Sequence, residues 1–272
     1  MTTLSEVFAH AKAERRAALI GYLPAGYPNV EQSVALVEAM VAGGVDIVEV
    51  GMPYSDPVMD GPVIQRAADA SLARGTTMSD VFTVVEAAAQ AGAAACVMSY
   101  WNPIERFGVT RFCEQFTAAG GSSVITPDLS PEEADAWIAA TNAGNIGRVF
   151  LVAPSSSAQR LERVTGQCTG FVYAASMMGV TGNDVVIGDV ARELVTRVRA
   201  VTSLPVAVGL GIRNSEQAAA VAQFADGVIV GSAFVRAVEE AASPTAAIEA
   251  VHNLAAELAV GCRQGSRAGS DH

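Results

Sequence analysis

The chain has almost no lysine, since Lys12 is the only one among its 272 residues. A Schiff-base aldolase needs a lysine nucleophile, and a pyridoxal cofactor needs a lysine as its anchor. Lys12 belongs to an N-terminal helical pattern rather than to the end of a strand. The sequence therefore offers no nucleophile for Schiff-base chemistry and no anchor for pyridoxal phosphate.

Histidine and paired cysteine are also scarce. The three histidines, His10, His252 and His272, lie near the ends of the chain and away from the predicted strand ends. This placement excludes histidine acid catalysis and most metal sites, and we expect no bound metal. The four cysteines form no CxxC pair, and no GxSxG nucleophile motif is present, so zinc, disulfide and serine-hydrolase explanations are unnecessary.

Positive charge and long apolar runs are the remaining absences. Lys and Arg number 17 against 28 acidic residues, which gives a net charge of −11. We expect no nucleic-acid partner, because neutralising phosphates requires a basic surface. Met1–Arg16 contains charges and no continuous apolar core, and the uncharged Ala87–Ile104 is interrupted by glutamine, asparagine and proline. Neither segment reads as a signal peptide or membrane span, so we expect a cytoplasmic protein.

What the chain does have is a regular alternation of apolar runs and amphipathic segments. Hydrophobic residues make up 51% of it, and near-continuous Val/Ile runs indicate parallel strands covered on both faces. The eight predicted strands are Leu19–Leu23, Asp46–Val50, Cys96–Ser99, Ser122–Thr126, Arg148–Val152, Gly170–Ala174, Val206–Gly209 and Gly227–Val230. The helical segments between them include Glu31–Val41, Ser79–Ala91, Thr110–Ala119, Pro131–Ala140, Asp189–Ala200 and Ser215–Gln223.

Eight such units predict an α/β fold, a single (β/α)8 TIM barrel with an extra N-terminal helix. An open doubly wound sheet is the competing architecture. It usually carries GxGxxG after the first strand, where this chain has Pro24–Pro28 instead. We expect one domain over residues 1–264, followed by a flexible tail over residues 265–272.

Two carboxylates stand out in the stretch VEVGMPYSDPVMDGPVIQ. If Val48 and Val50 pack outward, Glu49 points to the other face of its strand. Burial there would raise the pKa of Glu49 toward neutrality, as a proton-exchanging group requires. Asp60 follows eleven positions later, in the loop after this strand. The structural alternatives are an ion-paired Glu49 and an Asp60 that caps a helix ending near Gly75.

Two glycine-containing loops follow the seventh and eighth predicted strands, where TIM barrels often hold phosphate. They are Gly209-Leu210-Gly211 and Gly231-Ser232, and we expect free backbone N–H groups at a helix start in each. Tight turns alone are the simpler explanation of either loop. After the sixth strand, the long loop from Met177 to Gly188 is typical of a lid that excludes water.

Taken together, these segments resemble the tryptophan synthase alpha chain family over nearly the whole chain. The most specific elements are VEVGMPYSDPVMDGPVIQ, Asn102-Pro103, Pro127-Asp128, Gly179-Val180-Thr181-Gly182, Gly209-Leu210-Gly211-Ile212 and Gly231-Ser232, in that order. The resemblance implies a lyase that cleaves indole-3-glycerol phosphate into indole and glyceraldehyde 3-phosphate in tryptophan biosynthesis. Departures from the commoner family pattern include Tyr22 and Tyr54 in place of Phe, and Leu210 in place of Phe.

The resemblance also implies residue roles. Glu49 and Asp60 are expected to be the catalytic acids, with Tyr22, Met98, Ile125, Tyr173 and Thr181 at the substrate. Phosphate is expected at Gly182, Gly209, Gly211, Ile212, Gly231 and Ser232. The chain itself needs no cofactor, because pyridoxal phosphate belongs to a partner beta chain in an alpha2beta2 assembly. The partner surface is expected near Tyr54, Ser55, Asp56, Pro57, Asn102 and Pro103.

Two other functions are weighed against this one. A phosphosugar isomerase or epimerase barrel usually has an acid or His at the end of its first strand, or a metal cluster, and Tyr22 without an internal His argues against it. A catalytically idle barrel that only activates a partner would not need both Glu49 and Asp60.

Overall fold

Nine parallel strand segments in one sheet form the centre of the molecule. The computed structural model describes residues 2–175, 184–209 and 211–265. The strands are β1 (Ala18–Pro24), β2 (Ile47–Gly51), β3 (Ala94–Met98), β4 (Gly121–Ile125), β5 (Gly147–Val149), β6 (Leu151–Val152), β7 (Val172–Ala175), β8 (Val206–Gly209) and β9 (Gly227–Val230).

Twelve α-helices are described with this sheet, along with a short 3₁₀ helix at Pro131–Glu133. They are α1 (Leu4–Ala13), α2 (Val30–Ala42), α3 (Pro62–Ala73), α4 (Met78–Gln90), α5 (Trp101–Phe107), α6 (Val109–Ala118), α7 (Asp135–Ala143), α8 (Ala158–Thr165), α9 (Asp184–Arg199), α10 (Ser215–Ala222), α11 (Ser232–Glu239) and α12 (Pro244–Gln264).

The barrel closes at the fifth predicted strand, which divides into β5 and β6 at Phe150. The sheet order is β5-β4-β3-β2-β1-β9-β8-β7-β6. β5 pairs with β4, and β6 pairs with β7. Since only one residue separates β5 from β6, a single run of chain joins the two sides of the sheet. The eight predicted strands therefore occupy eight barrel positions, and the open-sheet alternative is wrong.

Alternation along β2 follows the predicted pattern. Val48 and Val50 belong to the apolar layer between strands and helices, whereas Ile47 belongs to the cluster inside the barrel. The inner cluster also contains the four buried residues of α1, which are Leu4, Val7, Phe8 and Ala11. The predicted N-terminal helix thus closes the amino end of the barrel. Its start is fixed by a capping box between Thr3 and Glu6.

Several boundaries differ from the sequence prediction for local reasons. β2 begins after Asp46, because that carboxylate binds Arg16 through two nitrogen atoms, at 2.7 and 2.8 Å, and also accepts the N–H of Leu19. The segment predicted as one helix from Pro131 divides into the 3₁₀ helix and α7. α9 begins at Asp184, so the predicted loop is too long at its C-terminal end.

Asn102-Pro103 lies in the first turn of α5 rather than in a turn between elements. Proline is tolerated there because the first helical N–H groups have no partner within the helix. Asp128 accepts the N–H of Trp101 at 2.9 Å and so stabilises the start of α5. In the described part of the chain, no helix combines the length and apolar character needed to cross a membrane. Residues 266–272, most of the predicted tail, lie outside the described ranges.

Gly261 provides a test of how α12 packs. A Cβ added at Gly261 would overlap the carbonyl oxygen of Ser215 at the start of α10, and would also approach the Ala218 side chain. Alanine usually stabilises a helix relative to glycine by about 1 kcal/mol. Because the clash involves backbone, we expect Gly261→Ala to lower the free energy of unfolding by about 1–3 kcal/mol.

The matched control is Gly188→Ala in α9, where no described atom lies within 4 Å of an added Cβ. We expect it to raise the free energy of unfolding by about 0.5–1 kcal/mol. Urea denaturation of both variants measures the two signs. A stabilised Gly261→Ala variant would show that α10 and α12 can separate without cost.

Candidate active site

A cleft of about 400 Å³ opens at the carboxyl ends of the strands. Both predicted acids, Glu49 and Asp60, line it. In a parallel barrel this is the end where loops supply catalytic groups. The other lining residues are Tyr22, Met59, Gly61, Pro62, Val63, Ile64, Met98, Leu151, Tyr173, Ala175, Gly209, Gly211, Ile229, Gly231, Ser232 and Arg236.

Glu49 is the buried middle residue of β2, beside Tyr22 of β1 and Cys96 of β3 in the strand register. Its Oε2 atom has no hydrogen-bond partner among the described residues. Burial, with a smaller contribution from the charge of Asp60, raises the pKa of Glu49 from 4.5 to about 8. The ion-pair alternative is wrong, because no described cation lies within salt-bridge distance of Glu49. A carboxyl with this pKa can both give and accept a proton near neutral pH.

Asp60 reaches the same cleft from the loop between β2 and α3. The residue that caps α3 is Gly61, and no side chain caps that helix, so the helix-cap alternative for Asp60 is wrong. The backbone carbonyl of Asp60 accepts a hydrogen bond from the Gln65 side chain at 2.7 Å. Burial raises the pKa of the Asp60 carboxyl, and hydrogen bonding from Tyr100 opposes that rise.

Tyr100 is a site residue that the sequence prediction missed. Its hydroxyl accepts the N–H groups of Val58 and Met59, at 3.2 and 3.1 Å, and its ring lies 5.1 Å from that of Tyr54. With both lone-pair positions used, the hydroxyl proton is available to Asp60. One side chain thus holds the loop after β2 and orients its acid. Its position just after β3, at the active end of a barrel, was the available signal.

The two glycine loops also line this cleft, and Gly231 lies close to Ile64 of α3, where an added Cβ would be 3.7 Å from Cδ1 of that side chain. Gly209, Gly211, Gly231 and Ser232 all line the cleft, as predicted. α11 begins directly at Ser232 without a side-chain cap, which leaves its first N–H groups free. The other loop does not open a helix, because α10 begins only at Ser215 and is capped by Asn214. Gly211 has a φ of +66°, a conformation that favours glycine.

Arg236 adds a cation to this side of the cleft that the sequence prediction overlooked in favour of Arg213. It lines the cleft one helical turn after Ser232 on α11. Residues four positions apart lie on the same helix face, so Arg236 shares the face of Ser232 at the start of α11. Arg213 is exposed and is not among the lining residues. The spacing of four residues from Ser232 was the signal that could have found Arg236.

Some predicted site residues do not line the cleft. Ile125 is fully buried in the inner barrel cluster, where Met98 and Tyr173 pack against that cluster from the cleft side. Ile212 is buried as well. Tyr22, Met98 and Tyr173 line the cleft as predicted. Thr181, Gly182 and Leu210 lie outside the described residues, as does most of the predicted lid.

Comparisons with known proteins agree with this geometry. A family model described as tryptophan synthase alpha chain matches residues 8–263. The tryptophan synthase alpha chain of Thermobifida fusca is 58% identical over 270 residues, covering 98% of this chain and all of that one. That of Acidothermus cellulolyticus is 55% identical over 264 residues, covering 97% of this chain and 98% of the other.

This chain belongs to the tryptophan synthase alpha chain family. Among solved structures, Mycobacterium tuberculosis tryptophan synthase matches with a TM-score of 0.89 at 51% identity, covering 97% of this chain and 99% of that one. Tryptophan synthase subunit alpha from Legionella pneumophila matches with a TM-score of 0.85 at 32% identity, covering 97% and 98%.

Membership confirms the fold as a TIM barrel and the activity as that of a lyase in tryptophan biosynthesis, which cleaves indole-3-glycerol phosphate. The comparisons support neither the phosphosugar isomerase nor the epimerase alternative. Among the described residues, no group of three or more His, Cys, Asp or Glu side chains is arranged to hold a metal ion.

The raised pKa of Glu49 has a consequence for stability. Between its ordinary value of 4.5 and its folded value of about 8, the folded state holds a proton that the unfolded state releases. Stability therefore falls as pH rises through this window. We expect Glu49→Gln to exceed the native chain in free energy of unfolding by about 2–4 kcal/mol at pH 9, and by much less at pH 5.

Denaturant titrations at the two pH values measure this difference. Glu38→Gln, on the exposed face of α2, is the control for removal of a surface carboxyl. If Glu49→Gln and the native chain were equally stable at pH 9, the buried carboxyl would not carry the cost assigned to it.

Proposed function

We propose that Glu49 and Asp60 catalyse the cleavage of indole-3-glycerol phosphate by proton transfer and charge stabilisation alone. The observation that carries this proposal is a buried carboxyl without a hydrogen-bond partner at Oε2, in one cleft with a second acid and two glycine loops. The chain's single lysine, Lys12, lies beneath the amino end of the barrel beside Pro205 and Asp226. The cleft thus has no lysine that could form a Schiff base among its lining residues.

Glu49 is the proton shuttle in this proposal. As the neutral acid, it gives its proton to C3 of the indole ring, and the ring nitrogen then carries positive charge. The resulting carboxylate takes the proton of the adjacent glycerol hydroxyl. The oxygen becomes an aldehyde carbonyl, the C–C bond breaks, and its electrons return to the ring. Because its pKa is about 8, Glu49 reaches both protonation states near neutral pH.

Asp60 stabilises the charged ring. Facing the indole N–H, its carboxylate favours the positive charge that develops there, which is electrostatic preorganisation. Tyr100 holds the acid at this position through the hydrogen bonds described above. Tyr22, Met98 and Tyr173 supply the apolar slot for the ring, and the lining residues Ile64 and Leu151 extend it. Thr181 remains a proposed substrate contact.

The phosphate is proposed to bind between Gly209, Gly211, Gly231 and Ser232, with Gly182 as a further contact. Free N–H groups at the start of α11 support this assignment, since a helix N-terminus attracts anions. Arg236 adds a full positive charge to the same wall of the cleft. It offsets locally the repulsion that a chain of net charge −11 exerts on a phosphate.

A beta chain is the proposed partner, in an alpha2beta2 assembly that holds pyridoxal phosphate in the beta chain and none in this one. The loop that carries Asp60 supports this proposal, because Val58 is 76% exposed and Met59 39% exposed. Indole could then pass from the cleft to the partner. We place the interface at Tyr54, Ser55, Asp56, Pro57, Asn102 and Pro103, and the complex in the cytoplasm.

Removing either acid should abolish most of the activity. We expect Glu49→Gln to lower kcat by roughly 10²–10⁴-fold through loss of proton transfer, and Asp60→Asn by roughly 10²–10³-fold through loss of charge stabilisation. A coupled assay for glyceraldehyde 3-phosphate measures both. No product from the native chain, with or without a beta chain, or full activity in Asp60→Asn, would overturn the proposal.

The partner surface is tested by placing a charge on Val58, the exposed apolar residue that follows Pro57. We expect Val58→Asp to weaken activation by the beta chain at least about tenfold, since an uncompensated charge at an interface is costly. The rate of the isolated chain should change little. Val260→Asp, on α12 at a residue that is 40% exposed, is the control. Equal activation of both variants by a titrated beta chain would place the interface elsewhere.

A further inference from the structure

Tyr22 carries a hydroxyl in the cleft that no described residue uses. The side chain is buried, with 7% of its surface exposed, and it lines the cleft with both acids. The described hydrogen bonds include none to its hydroxyl. A buried tyrosine O–H usually has a hydrogen-bond partner. Because no described residue fills this role for Tyr22, its hydroxyl is free to donate to a ligand in the cleft.

The direction of the Tyr22 ring is defined by two glycines. At its base, Cδ1 and Cβ lie 3.4 and 3.5 Å from a Cβ built at Gly231, the residue that precedes α11. At its tip, the hydroxyl lies so close to Gly51 that any side chain there would overlap it. The ring therefore extends from the phosphate end of the cleft to the end of the strand that carries Glu49.

This direction matches the order of groups in the substrate. With the phosphate at Gly231 and Ser232, the glycerol chain must run along the Tyr22 ring to bring its reacting carbon to Glu49. The Tyr173 hydroxyl lies instead against Gly209, where a Cβ would be 2.7 Å from it, at the phosphate end. Tyr22 is thus the tyrosine whose hydroxyl lies at the end of the strand that carries Glu49.

We propose that the Tyr22 hydroxyl donates a hydrogen bond to the glycerol oxygen that becomes the aldehyde carbonyl. This inference rests on the function proposed above for Glu49. As the Glu49 carboxylate takes the proton from that oxygen, negative charge develops on it before the C=O bond is complete. The Tyr22 donor stabilises that charge without giving up its own proton, as oxyanion-hole donors do. Tyr22 thereby acts on the reacting atoms and not only as a wall of the indole slot.

The test compares Tyr22→Phe with the native chain on two ligands. One is indole-3-glycerol phosphate, and the other is its analogue with the glycerol hydroxyls replaced by hydrogen. The variant keeps the ring and loses only a group without a protein partner, so folding is preserved. We expect kcat for the substrate to fall roughly 10- to 100-fold. Binding of the analogue, which lacks the oxygen concerned, should change by less than about twofold.

Two outcomes would overturn the inference. An unchanged kcat would show that the hydroxyl does not act on the reacting oxygen, and a loss of analogue affinity as large as the loss of kcat would assign Tyr22 to ring packing alone. Tyr27→Phe, outside the cleft, is the matched control and should match the native chain in both measurements. Glu49→Gln distinguishes the two proposals: if it retains activity the proposed function fails, whereas an inactive Glu49→Gln beside a fully active Tyr22→Phe overturns this inference alone.

Discussion

The site depends on one unfavourable placement, a carboxyl buried in the middle of β2 with no cation of the described residues beside it. Glu49 could be accommodated in water at little cost, but inside the barrel its charged form is strongly disfavoured. The closed barrel makes this possible, because neighbouring strands hold Glu49 from both sides and its strand cannot move away to expose it. Under the proposed mechanism, the protein gives up stability in order to keep a proton donor at neutral pH, a common trade-off at active sites.

The second acid is held in a different way. Asp60 belongs to a loop that presents exposed Val58 to solvent and is tied to the barrel through the Tyr100 hydroxyl. Any partner that binds at Val58 acts on a segment whose backbone shares that hydroxyl with the Asp60 carboxyl. The loop can respond to a partner, whereas Glu49 cannot, since it belongs to the rigid sheet. This division separates the proposed proton shuttle from the acid proposed to stabilise charge at the ring nitrogen.

Much of this arrangement could be predicted from the sequence where local pattern and chemistry agree. Alternation along β2 gave the inward direction of Glu49, and the apolar spacing of α1 gave the helix that closes the barrel. Asp60 was ambiguous, because Asp before a helical run is typical of an N-cap; only the backbone shows that Gly61 occupies that position. Tyr100 and Arg236 were missed because their roles depend on contacts between elements that no short-range pattern encodes. Phe150 divides a predicted strand for the same reason, since the two halves pair with different neighbours.

The scarcity of cations shapes how such a chain can recognise a phosphate. With a net charge of −11, a long-range field would repel the substrate, so attraction must come from groups close to the anion. Main-chain N–H groups at the start of α11 meet this need, since their dipoles are fixed by the helix and cost no side-chain entropy when a ligand binds. Arg236, one turn along the same helix, adds a positive charge near the helix N-terminus, which already attracts anions. The proposed phosphate end is therefore built from the start of α11 and the glycine loop after β8, and the proposed proton-transfer end from one strand and its loop. The Tyr22 ring spans the distance between the two.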